Sequence, residues 1–314
     1  MAETMKAVRI HTYGGLDVLS YEDAPRPQIA EDEILVRVCA AGVNPVDWKI
    51  REGYLAGMLN HSLPLILGWD VSGEVVEVGA AVSEFKVGDA VYARPDINRD
   101  GAYAEFIAIK AAEVAFKPSS LNHIQAAAVP LAGLTAWKSL FDAANLQAGQ
   151  RVLIHAASGG VGSYAVQLAG WKGAEAIGTA SARNLDFLRE LGVKEAIDYQ
   201  AVRFEEVVRD VDVVFDTIGG DVQERSWQVL KPGGVLVSVI TPPPAEIAAQ
   251  HNCRGEYVFI QPDAAQLTEI AQLIDAGYVK PMVETVLPLA DVRQAHQLSQ
   301  SHRARGKIVL QVLD

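Results

Sequence analysis

The chain has 314 residues, half of them apolar and 21% charged, with 26 glycines, a makeup that excludes disorder for the bulk of it. At roughly 100 to 200 residues per domain, that length predicts two domains, each able to bury a core. The formal net charge of −12 repels phosphate backbones and anionic lipid heads, so neither a nucleic acid nor a membrane is expected as a partner.

The two cysteines, Cys39 and Cys253, form no C-x-x-C pair, which fits a reducing compartment. The opening MAETMKAVRIHTYGG has no apolar core and no small-residue cleavage site, and no later apolar run approaches the ~18 residues that span a bilayer. A cytoplasmic protein is expected.

Up to residue 125, short β-like runs alternate with glycine-bearing turns: KAVRIH, EILVRVCAAGV, VSGEVVEVG, DAVYA and GAYAEFIAI. This pattern predicts an irregular, mostly antiparallel β domain. From 126 to 280, apolar strands predicted at 152–155, 176–179, 211–215, 235–240 and 257–260 are separated by segments of helical period. Such alternation predicts parallel β-α-β units in a doubly wound sheet, an α/β fold. In 281–314 the strand-like MVETVLPL and KIVLQVL flank a helical stretch and resemble the first domain. The expectation is a discontinuous domain, 1–125 and 281–314, with the α/β domain inserted and the ligand in the cleft between them.

The strongest chemical signal is RVLIHAASGGVGSYAVQLAGW at 151–171. A buried strand leads into Ser158, Gly159, Gly160, Val161 and Gly162, and a helix of period 3.6 follows. A helix N-terminus opened by glycines offers free N–H groups and a favourable dipole to a pyrophosphate, so a dinucleotide is expected here. Ala157 stands in place of the first glycine of G-x-G-x-x-G.

The next strand ends at Ser181-Ala182-Arg183, about 20 residues on, where NAD proteins carry an acid for the ribose 2′-hydroxyl. No Asp or Glu stands there. Ser181 and Arg183 suit a 2′-phosphate instead, and NADP(H) is the expected cofactor. Arg183 as a solvated residue of the following helix is the plainer alternative. Ligands of open α/β sheets bind beyond the carboxyl ends of the strands, which adds Thr217 and Ile218 after VVFD, and Ser238 and Val239 after the LKPGG turn.

Taken together, AAGVNPVDWKIREG, LGWDVSGEVVEVG, GAYAEFI, VPLAGLTAW, HAASGGVG, TASARN, VFDTIGG and RGKIVL resemble the medium-chain dehydrogenase/reductase superfamily and its zinc-free quinone oxidoreductase group. The resemblance covers nearly the whole chain. It implies a GroES-like β domain, a Rossmann domain and a homodimer. Zinc alcohol dehydrogenases of that superfamily carry a Cys where this chain has Asn44 and a His where it has Trp69, and neither replacement is a zinc ligand. Cys39 falls five residues before Asn44, and 89–114, where the structural zinc lobe would lie, holds no cysteine. No metal is expected.

Without a Lewis acid the substrate must delocalise the negative charge that hydride addition leaves, as quinones and α,β-unsaturated carbonyls do. The resemblance also implies site residues. Asn44 would hydrogen-bond a substrate carbonyl or the nicotinamide ribose, or else be only a turn residue before Pro45. Tyr54 would deliver a proton or form a wall. Thr135 would lie near the nicotinamide, Tyr199 near the 2′-phosphate and Lys307 near the cofactor. His155, at the end of the first α/β strand, reads as structural. Two rival readings remain open at this stage: an NADPH-binding protein without turnover, and a zinc alcohol dehydrogenase.

Overall fold

The computed structural model describes residues 3–313. The chain forms two compact units: residues up to Leu131 with Gln261–Ala276 and the segment from Pro281 on, and Ala132–Ile260 with Gly277–Lys280.

The first unit is built on the strand Glu33–Val43, whose near-continuous apolar run is buried on both faces. One edge pairs antiparallel with Val71–Val78. The other is shared end to end by Phe106–Lys110, along residues 33–37, and Lys307–Gln311, along 40–43. The register Ile308↔Val43 therefore brings Lys307, one residue earlier, across from Asn44, one residue later. The last strand thus returns to the first domain's sheet. Around this strand Ile34, Val36 and Val38 pack with Trp69, Val71 and Tyr103 in one core. Each large aliphatic side chain fully buried in this way contributes about 1.5–3 kcal/mol.

GAYAEFIAI forms a strand only over Phe106–Lys110. The N–H groups of Gly101, Ala102 and Tyr103 donate instead to the carbonyls of Ile66, Gly68 and Leu67 at 2.6–3.0 Å, which draws that stretch off the ladder. The helix Ala264–Asp275, inside the expected α/β segment, clusters with the first unit. There the Asp275 carboxylate accepts from the N–H and hydroxyl groups of Ser119 and Ser120, and the Tyr92 hydroxyl donates to the Leu267 carbonyl at 2.5 Å.

The second unit is a six-stranded parallel sheet in the order Glu195–Asp198, Glu175–Ala180, Arg151–Ile154, Val211–Asp216, Leu230–Ser238 and Arg254–Tyr257. This is the doubly wound Rossmann order, 3-2-1-4-5-6. The direction of winding reverses between Arg151–Ile154 and Val211–Asp216, so the loops after these two strands flank the crevice where such sheets take ligands. Two strands differ from the sequence reading. Glu195–Asp198 is short, with only Ile197 buried, and carries too little apolar pattern to signal itself. The last strand runs Arg254–Tyr257 rather than 257–260.

Candidate active site

In the second unit the strand Arg151–Ile154 passes into the helix Gly160–Lys172 through Ala156, whose φ is 48°. A hydrogen-bond chain holds that conformation. The Ala156 N–H and the His155 ring both meet the Thr179 hydroxyl at 3.3 Å, and His155 Nε2 lies 2.9 Å from the Ser226 hydroxyl. Ser226 spends its own hydrogen on the Val222 carbonyl, so it accepts from Nε2–H, and Nδ1 is left to accept from Thr179. Burial keeps His155 neutral, with its pKa down to about 4. His155 is a structural anchor of the loop.

No side chain caps the Gly160–Lys172 helix at Gly159, so its first-turn N–H groups remain for a ligand. Gly162 is required by close approach: a Cβ there would stand 2.4 Å from the Ala156 carbonyl oxygen. Ser158 is buried, and its hydroxyl accepts from Asn184 Nδ2 at 3.2 Å. The same amide reaches the Ser181 hydroxyl at 3.4 Å, which ties the glycine loop to the end of Glu175–Ala180. Arg183 follows in the short turn Ala182–Asn184. The exposed Tyr199 is linked to this strand end by its N–H to the Ala180 carbonyl at 3.2 Å. Ser181 and Arg183 therefore lie beside the loop, with Tyr199 at the end of the neighbouring parallel strand, in an arrangement that fits a dinucleotide.

The remaining predicted residues of this unit divide into two kinds. Ile218 is exposed, and Thr217 donates its hydroxyl to the His155 carbonyl at 2.9 Å. Ser238 is fully buried and spends its hydroxyl on Asp216 at 2.8 Å, while the Val239 N–H donates to the Asp216 carbonyl at 3.2 Å. Ser238 thus shapes the loop rather than offering a hydroxyl to a ligand. Thr135 is buried on the helix Pro130–Trp137.

In the first unit Asn44 sits at the N-terminus of the helix Pro45–Arg51, and Asp47 reaches back to its N–H at 2.7 Å. The Asn44 side chain also meets two charged groups. Its Nδ2 donates to Asp70 Oδ2 at 2.8 Å, and its Oδ1 accepts from the Lys307 ammonium. Lys307 also pairs with Asp70 Oδ2 at 3.1 Å, while Asp70 Oδ1 accepts the Leu131 N–H at 2.6 Å. Lys307 is 3% exposed, unlike the solvated charge that a residue flanking a terminal strand suggests, whereas Arg305 lies exposed near Glu284. In this structure the Lys307 ammonium is turned to Asn44 and Asp70.

Asp47 is wholly buried. Its Oδ2 also accepts the Tyr103 hydroxyl at 2.7 Å, and its Oδ1 has no hydrogen-bond partner. Desolvation raises its pKa to about 7, against the hydrogen bonds from Asn44 and Tyr103. Gly68, at φ 91°, makes room for the Tyr103 ring, which a Cβ would meet at 2.3 Å. Trp69 is buried, stacks on His61 at 5.8 Å and donates to the Arg99 carbonyl. Arg51 steadies the helix from its far end, bonding the Gly14 carbonyl, His296, Glu52 and Gln300. Tyr54 is 67% exposed, edge-on to Trp48, and the carboxylate of Glu52 beside its hydroxyl raises its pKa. Among the described residues no three His, Cys, Asp or Glu side chains converge as a metal set.

Residues 30–119 match the alcohol dehydrogenase GroES-like domain family, and 191–310 match the zinc-binding dehydrogenase family. The chain is 35% identical to the mitochondrial NAD(P)H oxidoreductase RTN4IP1 of Danio rerio, over 99% of this chain and 92% of that protein. It is also 35% identical to a chloroplastic NADPH-dependent alkenal/one oxidoreductase of Arabidopsis thaliana, over 98% and 79% of the two chains. The structure of a quinone oxidoreductase from Coxiella burnetii superposes with a TM-score of 0.92 at 35% identity, covering 99% of this chain and all of that one. The chain belongs to the medium-chain dehydrogenase/reductase superfamily, in its quinone oxidoreductase group. It is an oxidoreductase, and it works with a nicotinamide cofactor.

Several residues of this oxidoreductase that organise the candidate site are not among those that stand out in the sequence. Asp70 and Tyr103 are buried polar groups inside apolar runs, and a charge in LGWD is their only local signal. Asn184 closes the TASARN segment, and its bridging amide becomes visible only in three dimensions. No described helix is long and apolar enough to cross a membrane.

Proposed function

We propose that the chain is an NADPH-dependent reductase of quinones or α,β-unsaturated carbonyls that works without a metal. The observation that carries this reading is the Asn184 amide joining Ser158 to Ser181, because it sets the pyrophosphate loop beside a strand end that bears Arg183 and no acid. In the proposal the helix N-terminus at Gly159, Gly160, Val161 and Gly162 takes the pyrophosphate, and Ser181, Arg183 and Tyr199 take the 2′-phosphate. The backbone of Thr217, Ile218 and Val239 lines the cofactor's ribose side, with Thr135 near the nicotinamide. Bound NADPH would supply a hydride.

The substrate class follows from the donors present. By the family resemblance Asn44 and Trp69 stand where the zinc enzymes carry ligands, and a carboxamide offers an oxyanion a hydrogen bond rather than Lewis acidity. A substrate that spreads its own charge, a quinone or an enone, suits such a site. The relatives named as quinone oxidoreductases and alkenal/one oxidoreductases act on this class by name. Tyr54, exposed and edge-on to Trp48, forms a wall of the substrate side in this reading. The same reading carries a homodimer.

Oxidation of NADPH by the purified chain with a panel of naphthoquinones and enones, alongside elemental analysis for zinc, is the direct test. Turnover with no stoichiometric zinc is expected. No turnover across the panel would overturn the reading in favour of a binding protein, and zinc-dependent alcohol oxidation would overturn it in favour of an alcohol dehydrogenase. Sedimentation decides the dimer.

A further inference from the structure

We infer that Lys307 is a positioning residue for Asn44: with Asp70 it locks the Asn44 carboxamide in one of its two orientations and leaves one N–H to meet the substrate oxygen on which negative charge collects. The inference deepens the proposed reduction and rests on it.

The two ends of a carboxamide are nearly alike in shape, so shape alone does not choose between them. Here the partners do. An ammonium can only donate, so the amide atom facing Lys307 must be oxygen, and an ionised carboxylate can only accept, so the atom facing Asp70 must be nitrogen. Nδ2 carries two hydrogens and Asp70 takes one. Among the described residues the second has no acceptor. The cation on Oδ1 also draws electron density from the amide and makes that N–H a stronger donor.

The arrangement is built into the fold. Gly306, at φ 65°, turns the chain against the Met282 carbonyl, which a Cβ would meet at 2.3 Å, and the Lys307 N–H donates to that same carbonyl at 2.7 Å. From there the antiparallel register sets Lys307 opposite Asn44. Asn44 is 2% exposed and Asp70 fully buried, and the Leu131 N–H fixes the far oxygen of Asp70. A buried Lys–Asp pair by itself is weak evidence of stability, because desolvating both charges costs about as much as their attraction returns. Its function is better sought in the amide that both of them hold.

The test uses the full chain with NADPH and an enone. Lys307→Met is expected to lower kcat about tenfold, with the enone KM within about twofold and the NADPH dissociation constant unchanged. Lys307→Ala is expected to regain kcat with added methylammonium and not with methanol, because charge rather than volume is missing. Independently of turnover, protein labelled with 15N-asparagine should show the Asn44 Nδ2 hydrogen held by Asp70 as a slowly exchanging signal, assigned by its loss in Asn44→Ala. It should exchange rapidly in Lys307→Met.

Where Lys307→Met does not fold, Lys307→Gln, which can still donate to Asp70, carries the same readouts. An unchanged Asn44 signal, recovery with methanol, or weakened NADPH binding at unchanged kcat overturns the inference. A wild-type chain that reduces no enone or quinone overturns the proposed function, and the labelling arm then still decides whether Lys307 orders the amide.

Discussion

The Asp216 carboxylate accepts the Ser238 hydroxyl at 2.8 Å, and the two residues end neighbouring parallel strands at the carboxyl edge of the sheet. Its other oxygen accepts the N–H groups of Ile218 and Gly219 at 2.9 and 2.8 Å, and Gln223 completes the shell at 3.0 Å. One buried side chain therefore shapes two loops of the proposed cofactor site. Asp216→Ala strands these donors, and a loss of about 2–4 kcal/mol is expected, with NADPH binding weakened about tenfold. Thermal melting and NADPH titration measure both. Unchanged affinity in the folded variant would show that the loops keep their shape without Asp216.

Gly162 and Gly170 lie on the same helix and predict opposite outcomes. A methyl at Gly162 meets the backbone of Ala156 and Ala157 at 2.4–2.9 Å, whereas at Gly170 it meets nothing within 4 Å. Gly162→Ala should weaken NADPH binding by more than about tenfold, because helix and loop must separate. Gly170→Ala should bind normally and gain up to about 1 kcal/mol of helix stability. Fluorescence titration of both variants is the check, and equal affinities would remove the close-approach argument.

Arg183→Ala separates the two nicotinamide cofactors. Losing charge-assisted hydrogen bonds to a 2′-phosphate should weaken NADPH by about 10- to 100-fold and leave NADH within about twofold. Parallel losses for both would mean that Arg183 does not read the phosphate.

Tyr54→Phe is expected to keep kcat within about twofold and to raise the enone KM, as removal of a hydroxyl from a wall should. Steady-state kinetics decide it. A tenfold fall in kcat would instead make Tyr54 the proton donor.

Asp47 makes stability depend on pH. Its folded pKa of about 7 lies above the ordinary 3.8, so between these values the folded chain holds a proton that the unfolded chain has lost. The stabilisation this proton gives is full below about pH 4 and is lost as the pH rises through 7. Asp47→Asn is isosteric and can still accept from Asn44 and Tyr103, so its melting temperature should fall less than the wild type's between pH 5 and 8. Identical slopes in melts across that range would show that Asp47 is already ionised at pH 5.

Much of the scaffold was legible along the chain because its signals are local. The strand 33–43 reads as an unbroken apolar run, and the strand, loop and helix around Gly159 to Gly162 carry their own punctuation. Fainter elements escaped. Glu195–Asp198 has almost no apolar pattern, and the Gly101–Tyr103 stretch looks like a strand until its N–H groups are seen to pair with 66–68. The strand end that carries Ser181 and Arg183 was readable from spacing, while the buried commitment of Ser238 to Asp216 was not.

The sequence by itself determined the two-domain scaffold, the glycine loop and the basic strand end without an acid, and the family resemblance added that Asn44 and Trp69 stand where the zinc enzymes carry ligands. These depend on residue type and on near spacing. Only the tertiary structure decided that Lys307, 263 positions from Asn44, grips its amide, that Asp70 closes the triad, and that Asn184 joins two loops. Strand register and burial make those contacts, and neither is a property of any short stretch of chain: a charge at the end of a strand reads as solvated until the opposing strand arrives to bury it.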